Sequence, residues 1–445
     1  MHLQLSRYVK IYPLSDGSNN FLVYSTKKGS LVRLSKTLLD ALNQGTLSEE
    51  HCEALRRVEI LVDDPAAERA AMESLVSRAN QRNNKFKAIV VLNLDCNLAC
   101  PYCYEDFYRG KKYMDGSVAR QTAEYIIREQ VQRGRDVKIG FYGGEPLLSV
   151  PTIRAIAAPI QQAAREAGVD FRFALTTNAT LLNRKTVEQL LPLGLREAIV
   201  TLDGTREIHN RQRPFVSGKG SFDTIVHNIK AVCDLITVQL GGNYSQEEFR
   251  DFPKMLDHLL AEGVGPERVG FVQFAPITAK SGQTTGADTH GTCVSGSEAW
   301  VSEAAPFLRE ETLKRGYATY RPAMSACMVE FEKDLVINYD GTLFKCPAFI
   351  GWPELSIGTL SEGVKDYRES HNLDVWKNDE CLDCPYLPLC FGGCRLFTQL
   401  RNGSIDSVDC RKAYYDQTLE EILLQDLRYA GKTACTSRFA SAPAS

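Results

Sequence analysis

Residues 94–103 read Leu-Asp-Cys-Asn-Leu-Ala-Cys-Pro-Tyr-Cys and follow the apolar run Ala88–Leu92, which predicts a buried strand. The spacing C-x3-C-x2-C places three thiol groups, those of Cys96, Cys100 and Cys103, on one short loop. A structural zinc site normally has four ligands, and no His or further Cys follows nearby. Three protein ligands on a four-iron cluster leave one iron open for a second molecule. The motif therefore predicts an iron–sulfur site with an open iron, and a zinc knuckle is the alternative.

Length and composition limit the class of protein. The chain has 445 residues, 14 of them Cys, and a formal net charge of −3. At roughly 100–200 residues per domain, this length predicts two or three domains. No basic stripe typical of a nucleic-acid binder stands out, and neither a signal peptide nor a bilayer-spanning apolar run is evident. We expect a cytoplasmic protein with no nucleic-acid or membrane partner, whose thiols are reduced and bind metal.

The segment 85–277 alternates predicted strands with predicted helices. The expected strands are Phe86–Leu94, Val137–Tyr142, Phe171–Thr176, Glu197–Leu202, Ile236–Leu240 and Val269–Phe274. The expected helices are Asp115–Arg133, Val150–Ala167, Arg184–Leu193, Phe222–Cys233 and Ser245–Glu262. Such alternation favours a parallel sheet with the helices outside it, so the segment predicts an α/β fold, a partial (β/α)6 barrel. Active sites of such barrels lie at the carboxyl ends of the strands, where the cysteine loop lies.

The N-terminal residues 1–80 predict a small unit of their own. Tyr8–Pro13 and Asn20–Thr26 are expected strands, and a third short strand follows them. Ser35 is a helix N-cap signal and Gly45 a stop signal, and a second helix comes next. This order predicts a winged-helix-like unit, and a simple cap on the larger domain is the alternative.

The stretch Tyr142-Gly143-Gly144-Glu145-Pro146 follows the second predicted strand. Glycines let the backbone approach a ligand closely. Backbone carbonyl groups and the Glu145 carboxylate can accept hydrogen bonds from an ammonium group. A plain Gly-Gly turn is the alternative.

Polar residues also follow the next two strands. Thr176-Thr177-Asn178 ends one strand, and Thr201 and Asp203 follow the other. Arg213 comes ten residues later. Hydroxyl groups, a carboxamide and a guanidinium suit a sugar and a carboxylate. Arg211 competes with Arg213 for the carboxylate contact.

Seven more cysteines lie in the C-terminal third of the chain. They form the pattern Cys327, Gly341-x4-Cys346, Cys381-x2-Cys384-x5-Cys390-x3-Cys394 and Cys410. Asn338-Tyr339-Asp340-Gly341 is a hairpin-turn signal, which would bring Cys346 back beside Cys327. A zinc site is the alternative for the Cys381–Cys394 run.

Together, these motifs resemble those of the radical S-adenosylmethionine (SAM) enzymes that carry a SPASM extension. In that family SAM chelates the open iron, and a Gly-Gly-Glu motif holds the SAM amino group. The family also has the pattern S-L-D-G…H-D-x-x-R. This chain differs from it mildly at two positions, with Thr201 in place of Ser and Asn210 in place of Asp. We expect His209 to be structural and Asn243 to be a weaker adenine or ribose contact. The resemblance implies these SAM contacts: Tyr102, Gly143, Gly144, Glu145, Asn178, Thr201, Asp203 and Arg213.

The resemblance also implies three 4Fe-4S clusters, one that binds SAM and two that are auxiliary. One auxiliary cluster would take Cys381, Cys384, Cys390 and Cys410. The other would take Cys327, Cys346 and Cys394. Its fourth ligand is either Cys293 or a substrate thiolate, because Arg321-Pro322 stands where the family has a further cysteine. We expect Cys52, Cys233 and Cys435 to be ordinary thiols.

The function implied by the resemblance is that of a maturase acting on a ribosomally made precursor peptide. It would use a flavodoxin- or ferredoxin-type reductant. The N-terminal unit resembles the element that binds a leader peptide as an added strand. The order of elements is most similar to enzymes that form Cys-to-carbon thioethers, and carbon–carbon crosslinking is another possible peptide modification.

Two further alternatives remain. An anaerobic sulfatase maturase, which forms formylglycine, has an acidic residue after the G-x4-C cysteine. Here Pro347 follows Cys346, and proline cannot take a proton. A zinc-stabilised scaffold without catalytic activity would have no need for an open loop of three thiolates.

The sequence therefore predicts five regions: a peptide-recognition element (1–80), the barrel (85–277), a bridging region (278–320), the SPASM domain (321–425) and a disordered tail (431–445).

Overall fold

The computed structural model describes residues 4–278, Gly296 and residues 298–431. The tail from residue 432 onward, Cys293 and Cys435 lie outside the described residues. Three sheets are present in the described part of the chain, and the largest has ten strands.

The N-terminal unit combines short strands and helices. Its elements are β1 (Gln4–Leu5), β2 (Val9–Pro13), β3 (Asn20–Ser25), β4 (Leu31–Ser35), α1 (Lys36–Gln44), α2 (Glu49–Arg57), β5 (Leu61–Val62), α3 (Pro65–Glu73) and α4 (Leu75–Arg82). Strands β2, β3 and β4 form an antiparallel sheet, and β1 pairs with β5. Ser35 caps α1 and Gly45 ends it in the left-handed conformation. Helices α3 and α4 are not predicted from the sequence pattern, because few of their residues are buried and apolar.

The barrel follows. Its elements are β6 (Lys85–Val91), α5 (Gly116–Glu129), β7 (Asp136–Tyr142), α6 (Val150–Ala167), β8 (Phe171–Thr177), α7 (Arg184–Leu190), β9 (Leu195–Thr201), α8 (Arg206–Gln212), α9 (Phe222–Val232), β10 (Thr237–Tyr244), α10 (Pro253–Ala261) and β11 (Val269–Pro276). Strands β6 to β11 are parallel neighbours in chain order. The predicted α/β barrel is confirmed.

One predicted barrel helix is shorter than expected. The sequence predicts Ser245–Glu262, whereas α10 begins at Pro253, after a 3₁₀ turn at Phe249–Asp251. Pro253 has no backbone N–H and therefore interrupts the helical hydrogen-bond ladder. The barrel core is apolar, because alternate residues on one face of the strands, such as Ala88, Val90 and Ile139, pack against α5, α6 and α9.

The C-terminal region extends the same sheet. Its elements are α11 (Ala299–Lys314), β12 (Asp334–Ile337), β13 (Thr342–Phe344), β14 (Gly358–Thr359), β15 (Gly363–Val364), α12 (Asp379–Leu382), α13 (Leu387–Cys390), α14 (Arg395–Asn402) and α15 (Lys412–Arg428). Strand β12 pairs in parallel with β6, so that Leu335 lies opposite Ala88. The hairpin β12–β13 therefore lies directly beside the strand that leads into the cysteine loop.

The N-terminal unit packs on the C-terminal region. The Tyr8 hydroxyl donates to Leu382 O over 2.9 Å, and the Tyr24 hydroxyl donates to Pro322 O over 2.9 Å. Tyr8 and Leu382 also share an apolar cluster that Cys381 contacts. Tyr8, which directly precedes β2, thus lies close to Cys381, a predicted ligand of one auxiliary cluster.

Candidate active site

The cysteine loop connects β6 to α5. The Arg109 guanidinium stabilises the conformation of this loop, because it donates to Cys96 O over 2.7 Å and to Leu98 O over 2.6 Å. Leu98 also forms a β-bridge with Phe215. The loop is therefore tied both to itself and to the segment after α8.

The Gly-Gly turn after β7 packs directly on this loop. Gly144 N–H donates to Asn93 O over 3.1 Å, and Glu145 N–H donates to Asp95 O over 2.8 Å. A Cβ added to Gly143 would lie 2.5 Å from Asn93 O, and one added to Gly144 would overlap Asp95 O. Only glycine fits this close approach of two backbones.

Glu145, which follows β7, connects this end of the sheet to the end of β8 by hydrogen bonds. Its buried carboxylate accepts from Leu147 N over 2.9 Å, Thr177 Oγ1 over 2.7 Å and Asn178 N over 2.8 Å. Burial raises the pKa of Glu145, and these three hydrogen bonds oppose that rise. A carboxylate has about four acceptor positions, so one remains for a ligand.

Asn178 faces the cysteine loop. Its amide donates to Asn97 Oδ1 over 2.8 Å and lies 3.6 Å from Cys96 Sγ, and its Oδ1 accepts from Thr180 N. Asn178 therefore helps to position the cysteine loop through its hydrogen bond to Asn97.

Tyr102, which lies between the second and third cysteines, is the centre of a buried polar network. Its hydroxyl donates to Asp203 Oδ2 and accepts from Arg213 Nη1 over 2.7 Å and from Asn243 Nδ2 over 3.3 Å. Asn243 N also donates to Asp203 Oδ1 over 2.7 Å. Thr201, at the end of β9, precedes Asp203 by two residues. The network joins the cysteine loop to the ends of β9 and β10.

The structure distinguishes Arg213 from Arg211. The Arg213 side chain is 11% exposed, and its Nε is buried with no hydrogen-bond partner among the described residues. The Arg211 side chain is 62% exposed and pairs with Glu248. Arg213 also lies close enough to Cys100 to lower the pKa of that thiol, against the larger effect of burial. Arg213 therefore has a donor available for an anion at the cysteine loop.

His209 is a structural residue. Its Nδ1 accepts from Asp203 N over 3.0 Å, and its Nε2 donates to Ser221 Oγ, whose hydroxyl in turn donates to Arg213 O over 2.6 Å. Burial, together with the charge of Arg213, lowers the pKa of His209 to about 3. A neutral imidazole thus fixes the turn that carries Asp203 and Arg213.

Ten of the twelve described cysteines fall into three electrostatically coupled sets, and Cys52 and Cys233 lie outside them. Burial raises the pKa of eight of these ten thiols, and neighbouring thiols of the same set add to the rise in all of the eight except Cys100. The first set is Cys96, Cys100 and Cys103. The second is Cys327, Cys346 and Cys394. The third is Cys381, Cys384, Cys390 and Cys410.

The resemblance implies the same three groups as cluster ligands, and that role stays a prediction. Within the described ranges, no group of three or more His, Cys, Asp or Glu side chains is arranged to hold a single metal ion. The pairing of cysteines with clusters therefore rests on the electrostatic grouping and on the motifs.

A cavity of about 580 Å³ lies between the barrel and the C-terminal region. Gln273 and Pro276 of β11 line one side, and Cys327, Cys390 and Cys394 line another. Among the described residues that line it there is no Asp or Glu. Its polar lining comes from thiol, hydroxyl, amide and guanidinium groups instead.

Comparison with known proteins agrees with this geometry. The model of the radical SAM superfamily matches residues 90–257, the segment that holds the cysteine loop, the Gly-Gly turn and Arg213. Residues 90–257 form a radical SAM domain.

The relatives and solved structures agree with this assignment. The cysteine-type anaerobic sulfatase-maturating enzyme of Clostridium novyi (strain NT) is 24% identical over 377 residues, covering 76% of this chain and 95% of the relative. The serine-type anaerobic sulfatase-maturating enzyme of Klebsiella aerogenes is 24% identical over 329 residues, covering 67% of this chain and 76% of the relative. A solved structure, native anSMEcpe with bound AdoMet, shares the fold with a TM-score of 0.61 at 17% identity, covering 77% of this chain and 97% of that one. The resemblance to radical SAM maturases that the sequence predicts is confirmed.

The residues of this radical SAM enzyme fit the cofactors that the radical SAM superfamily uses. Three cysteines on one loop are the donor set of a four-iron cluster with one open iron. The unpartnered Arg213 Nε suits the SAM carboxylate, and the remaining acceptor position of Glu145 suits the SAM ammonium group.

Sequence reasoning missed Arg109, because nothing in its local sequence indicates that it folds back onto Cys96 O. It also missed the role of Asn93, whose amide donates to Glu145 O over 3.0 Å. In the described part of the chain, no helix combines the length and apolar character that a membrane span requires.

Proposed function

We propose that this radical SAM enzyme is a maturase that forms a thioether between a cysteine and a carbon atom of a ribosomally made precursor peptide. The observation that carries the proposal is the cavity of about 580 Å³, where the end of β11 faces Cys327 and Cys394. SAM and a four-iron cluster would supply a 5′-deoxyadenosyl radical, which abstracts hydrogen from the peptide. The chain's own residues would bind, orient and shield the reactants.

At the SAM site, Cys96, Cys100 and Cys103 would hold the cluster. Arg213 would bind the SAM carboxylate, and Glu145 with the carbonyl groups of the Gly-Gly turn would bind the SAM ammonium group. The Tyr102–Asp203 hydrogen bond keeps Arg213 in place. Asn178, a predicted SAM contact, and Arg109 would also position the loop.

The two C-terminal cysteine sets would hold auxiliary clusters, which gives three clusters in all. The set Cys327, Cys346 and Cys394 has three thiols, and two of them line the cavity. We favour a substrate thiolate over Cys293 as the fourth ligand. Metal binding lowers the pKa of a thiol and fixes its sulfur, so a peptide cysteine would need no protein base there.

The lack of a carboxylate among the described lining residues supports thioether formation. Formylglycine formation by a sulfatase maturase would need a base, and Pro347 follows Cys346. In thioether formation the peptide loses the S–H and one C–H hydrogen and gains an S–C bond. The carbon-bound hydrogen would go to 5′-deoxyadenosine and the thiol proton to solvent, and an auxiliary cluster held by one of the C-terminal cysteine sets would take the second electron.

The relatives nevertheless favour formylglycine formation as a second candidate, because two of them are sulfatase-maturating enzymes. A peptide as substrate is consistent with both candidates. The anSMEcpe fold has also been solved with AdoMet and the Cp18Cys peptide bound.

The N-terminal unit would bind the leader peptide at the edge of β4. Strand β2 faces the C-terminal region, since Lys10 lies 4.7 Å from the centre of the Tyr386 ring. Strand β4 is the other edge of its sheet and has no further partner strand in the described residues. An extended peptide can add to such an edge through backbone hydrogen bonds. A flavodoxin- or ferredoxin-type protein would supply the electrons.

The test is an anaerobic reaction of the reconstituted enzyme with SAM, dithionite and a short Cys-rich peptide encoded beside it. Thioether formation predicts a product lighter by two hydrogen atoms that no longer reacts with iodoacetamide. Conversion of that cysteine to an aldehyde, trapped by a hydrazine, would show formylglycine formation instead. A crosslinked product with every thiol still reactive would show carbon–carbon bond formation.

A further inference from the structure

Arg411 places a guanidinium group on the wall of the cavity between the barrel and the C-terminal region. Its side chain is 26% exposed, and its Nε donates to Asp409 Oδ2 over 3.2 Å. Its Nη1 and Nη2 groups form no hydrogen bond with any described residue. An arginine has five N–H donors, so most of those of Arg411 remain available to a ligand in the cavity.

The other arginine among the described lining residues, Arg309, has no such spare nitrogen. Its side chain is 8% exposed, and its Nη2 pairs with Asp426. Its Nε donates to Tyr320 O over 2.9 Å, and its Nη1 donates to Gln425 Oε1 over 2.8 Å. Each nitrogen of Arg309 thus has a partner within the protein. Arg309 is structural, whereas Arg411 has donors for a ligand.

The orientation of the Arg411 guanidinium is fixed by its neighbours. Its Cζ lies over the Phe397 ring, 5.6 Å from the ring centre. A Cβ added to Gly296 would lie 3.1 Å from the same Cζ, so the guanidinium packs closely against this glycine. Together with the hydrogen bond to Asp409, these contacts hold the planar group in place. A donor that is already positioned loses less entropy when a ligand binds.

Asp409 links Arg411 to the second cysteine set. The residue is 1% exposed, and its Oδ2 accepts from both Arg411 Nε and Cys394 N, each over 3.2 Å. The guanidinium therefore lies beside the start of α14, next to a cysteine that also lines the cavity. The same carboxylate accepts from Arg401 Nη1 over 2.8 Å, so Arg411 shares this counter-charge with a second cation. The described cavity lining offers Arg411 no Asp or Glu.

We propose that Arg411 binds a carboxylate of the peptide substrate and thereby selects peptides that carry an acidic group near the reacting cysteine. The proposal rests on the proposed function, which places the peptide in this cavity and its thiol at the set that includes Cys394. A guanidinium can bind a carboxylate through two parallel hydrogen bonds. An Asp or Glu side chain of the peptide, or its C-terminus, can supply that carboxylate.

The experiment measures peptide binding to the full-length enzyme, reconstituted anaerobically with its clusters and kept without reductant. The probes are three seven-residue peptides of one sequence with a cysteine at the centre. The first has Asp two residues before and two residues after the cysteine and an amidated C-terminus. The second has Asn at both places and the same amide, and the third has Asn at both places and a free C-terminal carboxylate. Isothermal titration calorimetry gives the Kd of each peptide.

Arg401 offers the matched control variant. Its side chain is also 26% exposed and pairs with the same Asp409 carboxylate at 2.8 Å, but it is not among the described residues that line the cavity. Arg401→Gln therefore repeats the loss of a cation beside Asp409 without changing the described cavity wall. Iron is counted in each protein, so that loss of a cluster is recognised.

We expect the wild type to bind one of the two carboxylate peptides about tenfold more tightly than the amidated Asn peptide. Tighter binding of the Asp peptide would identify a side-chain carboxylate, and tighter binding of the free-acid peptide would identify the C-terminus. The preference should disappear in Arg411→Gln and persist in Arg401→Gln. If Arg411→Gln loses iron, Arg411→Lys replaces it and should show a reduced preference, because lysine lacks the planar fork.

Equal affinity of the wild type for all three peptides would overturn the proposal and leave thioether formation standing. A preference in the Arg411 variant equal to that of the wild type would also overturn it, as would equal losses in the Arg411 and Arg401 variants. No binding of any peptide would overturn the proposal together with the peptide site in this cavity. Because the measurement needs no turnover, its result does not depend on which bond the enzyme forms.

Discussion

The Arg213 side chain donates a hydrogen bond to the Tyr102 hydroxyl over 2.7 Å. This contact links the residue that follows α8 to the loop that carries three cysteines. It also leaves Arg213 Nε unpartnered in the described structure and buried beside that loop. The relationship explains how residues more than a hundred positions apart in sequence can form one proposed SAM site.

Arg213→Gln should weaken SAM binding at least tenfold, which corresponds to about 1.4 kcal/mol. The substitution removes the charge for the SAM carboxylate and leaves the buried Asp203 carboxylate without its cation. Arg211→Gln is the matched control and should change SAM affinity little, because Arg211 is exposed. Equilibrium dialysis of the reconstituted proteins measures both affinities. Equal losses of SAM affinity in the two variants would contradict the assignment of Arg213 to the SAM site.

Gly144→Ala should lower the iron bound by the cysteine loop, because the added methyl group overlaps Asp95 O and pushes the loop away from β7. Gly110→Ala is the control, since nothing lies within 4 Å of a Cβ added there. Iron and sulfide analysis of the two variants checks the prediction. Full iron content in Gly144→Ala would show that the loop tolerates the shift.

Arg33→Pro should weaken leader-peptide binding about tenfold, because proline removes one backbone donor from the outer edge of β4. Ser30 O and Lys36 N form hydrogen bonds on the side of β4 that faces β3. Backbone groups of successive residues in an antiparallel strand point to alternate sides, so the Arg33 N–H points away from β3. Arg33→Ala keeps that N–H and is the control. Fluorescence anisotropy with labelled leader peptide measures both affinities. Unchanged affinity in Arg33→Pro would place the leader elsewhere.

Cys293→Ala should keep the wild-type iron content and still crosslink the peptide if a substrate thiolate completes the second cysteine set. Iron analysis and mass spectrometry of the product give the two readouts. Loss of one cluster in this variant would show that Cys293 closes the site and that substrate-thiol ligation does not occur.

The sequence predicts those parts of the site whose residues lie close together along the chain. The cysteine loop, the Gly-Gly turn and the caps of α1 each depend on neighbours within a few residues. The pairing of β12 with β6 and the contact of Arg109 with Cys96 O depend on tertiary packing and leave no local signal. Arg411 likewise gives no sign in the sequence that its guanidinium lines a cavity.

The N-terminal unit shows the same limit. Its strands are predicted from the sequence pattern, and its first helix from the cap residues. Its contact with the C-terminal region depends on Tyr8 and Tyr24, which are ordinary strand residues in the sequence. Removing residues 1–80 would therefore expose the apolar cluster around Cys381. Point substitutions at the β4 edge are for this reason a cleaner test of leader binding than deletion.

The most direct test of the account is the formation of 5′-deoxyadenosine from SAM under dithionite, measured by chromatography for the wild type and for Cys96→Ala/Cys100→Ala/Cys103→Ala. The wild type should hold about twelve irons in three four-iron clusters and form 5′-deoxyadenosine. The triple variant should keep about eight irons and form none. Continued 5′-deoxyadenosine formation by the triple variant would contradict the assignment of the SAM cluster to this loop.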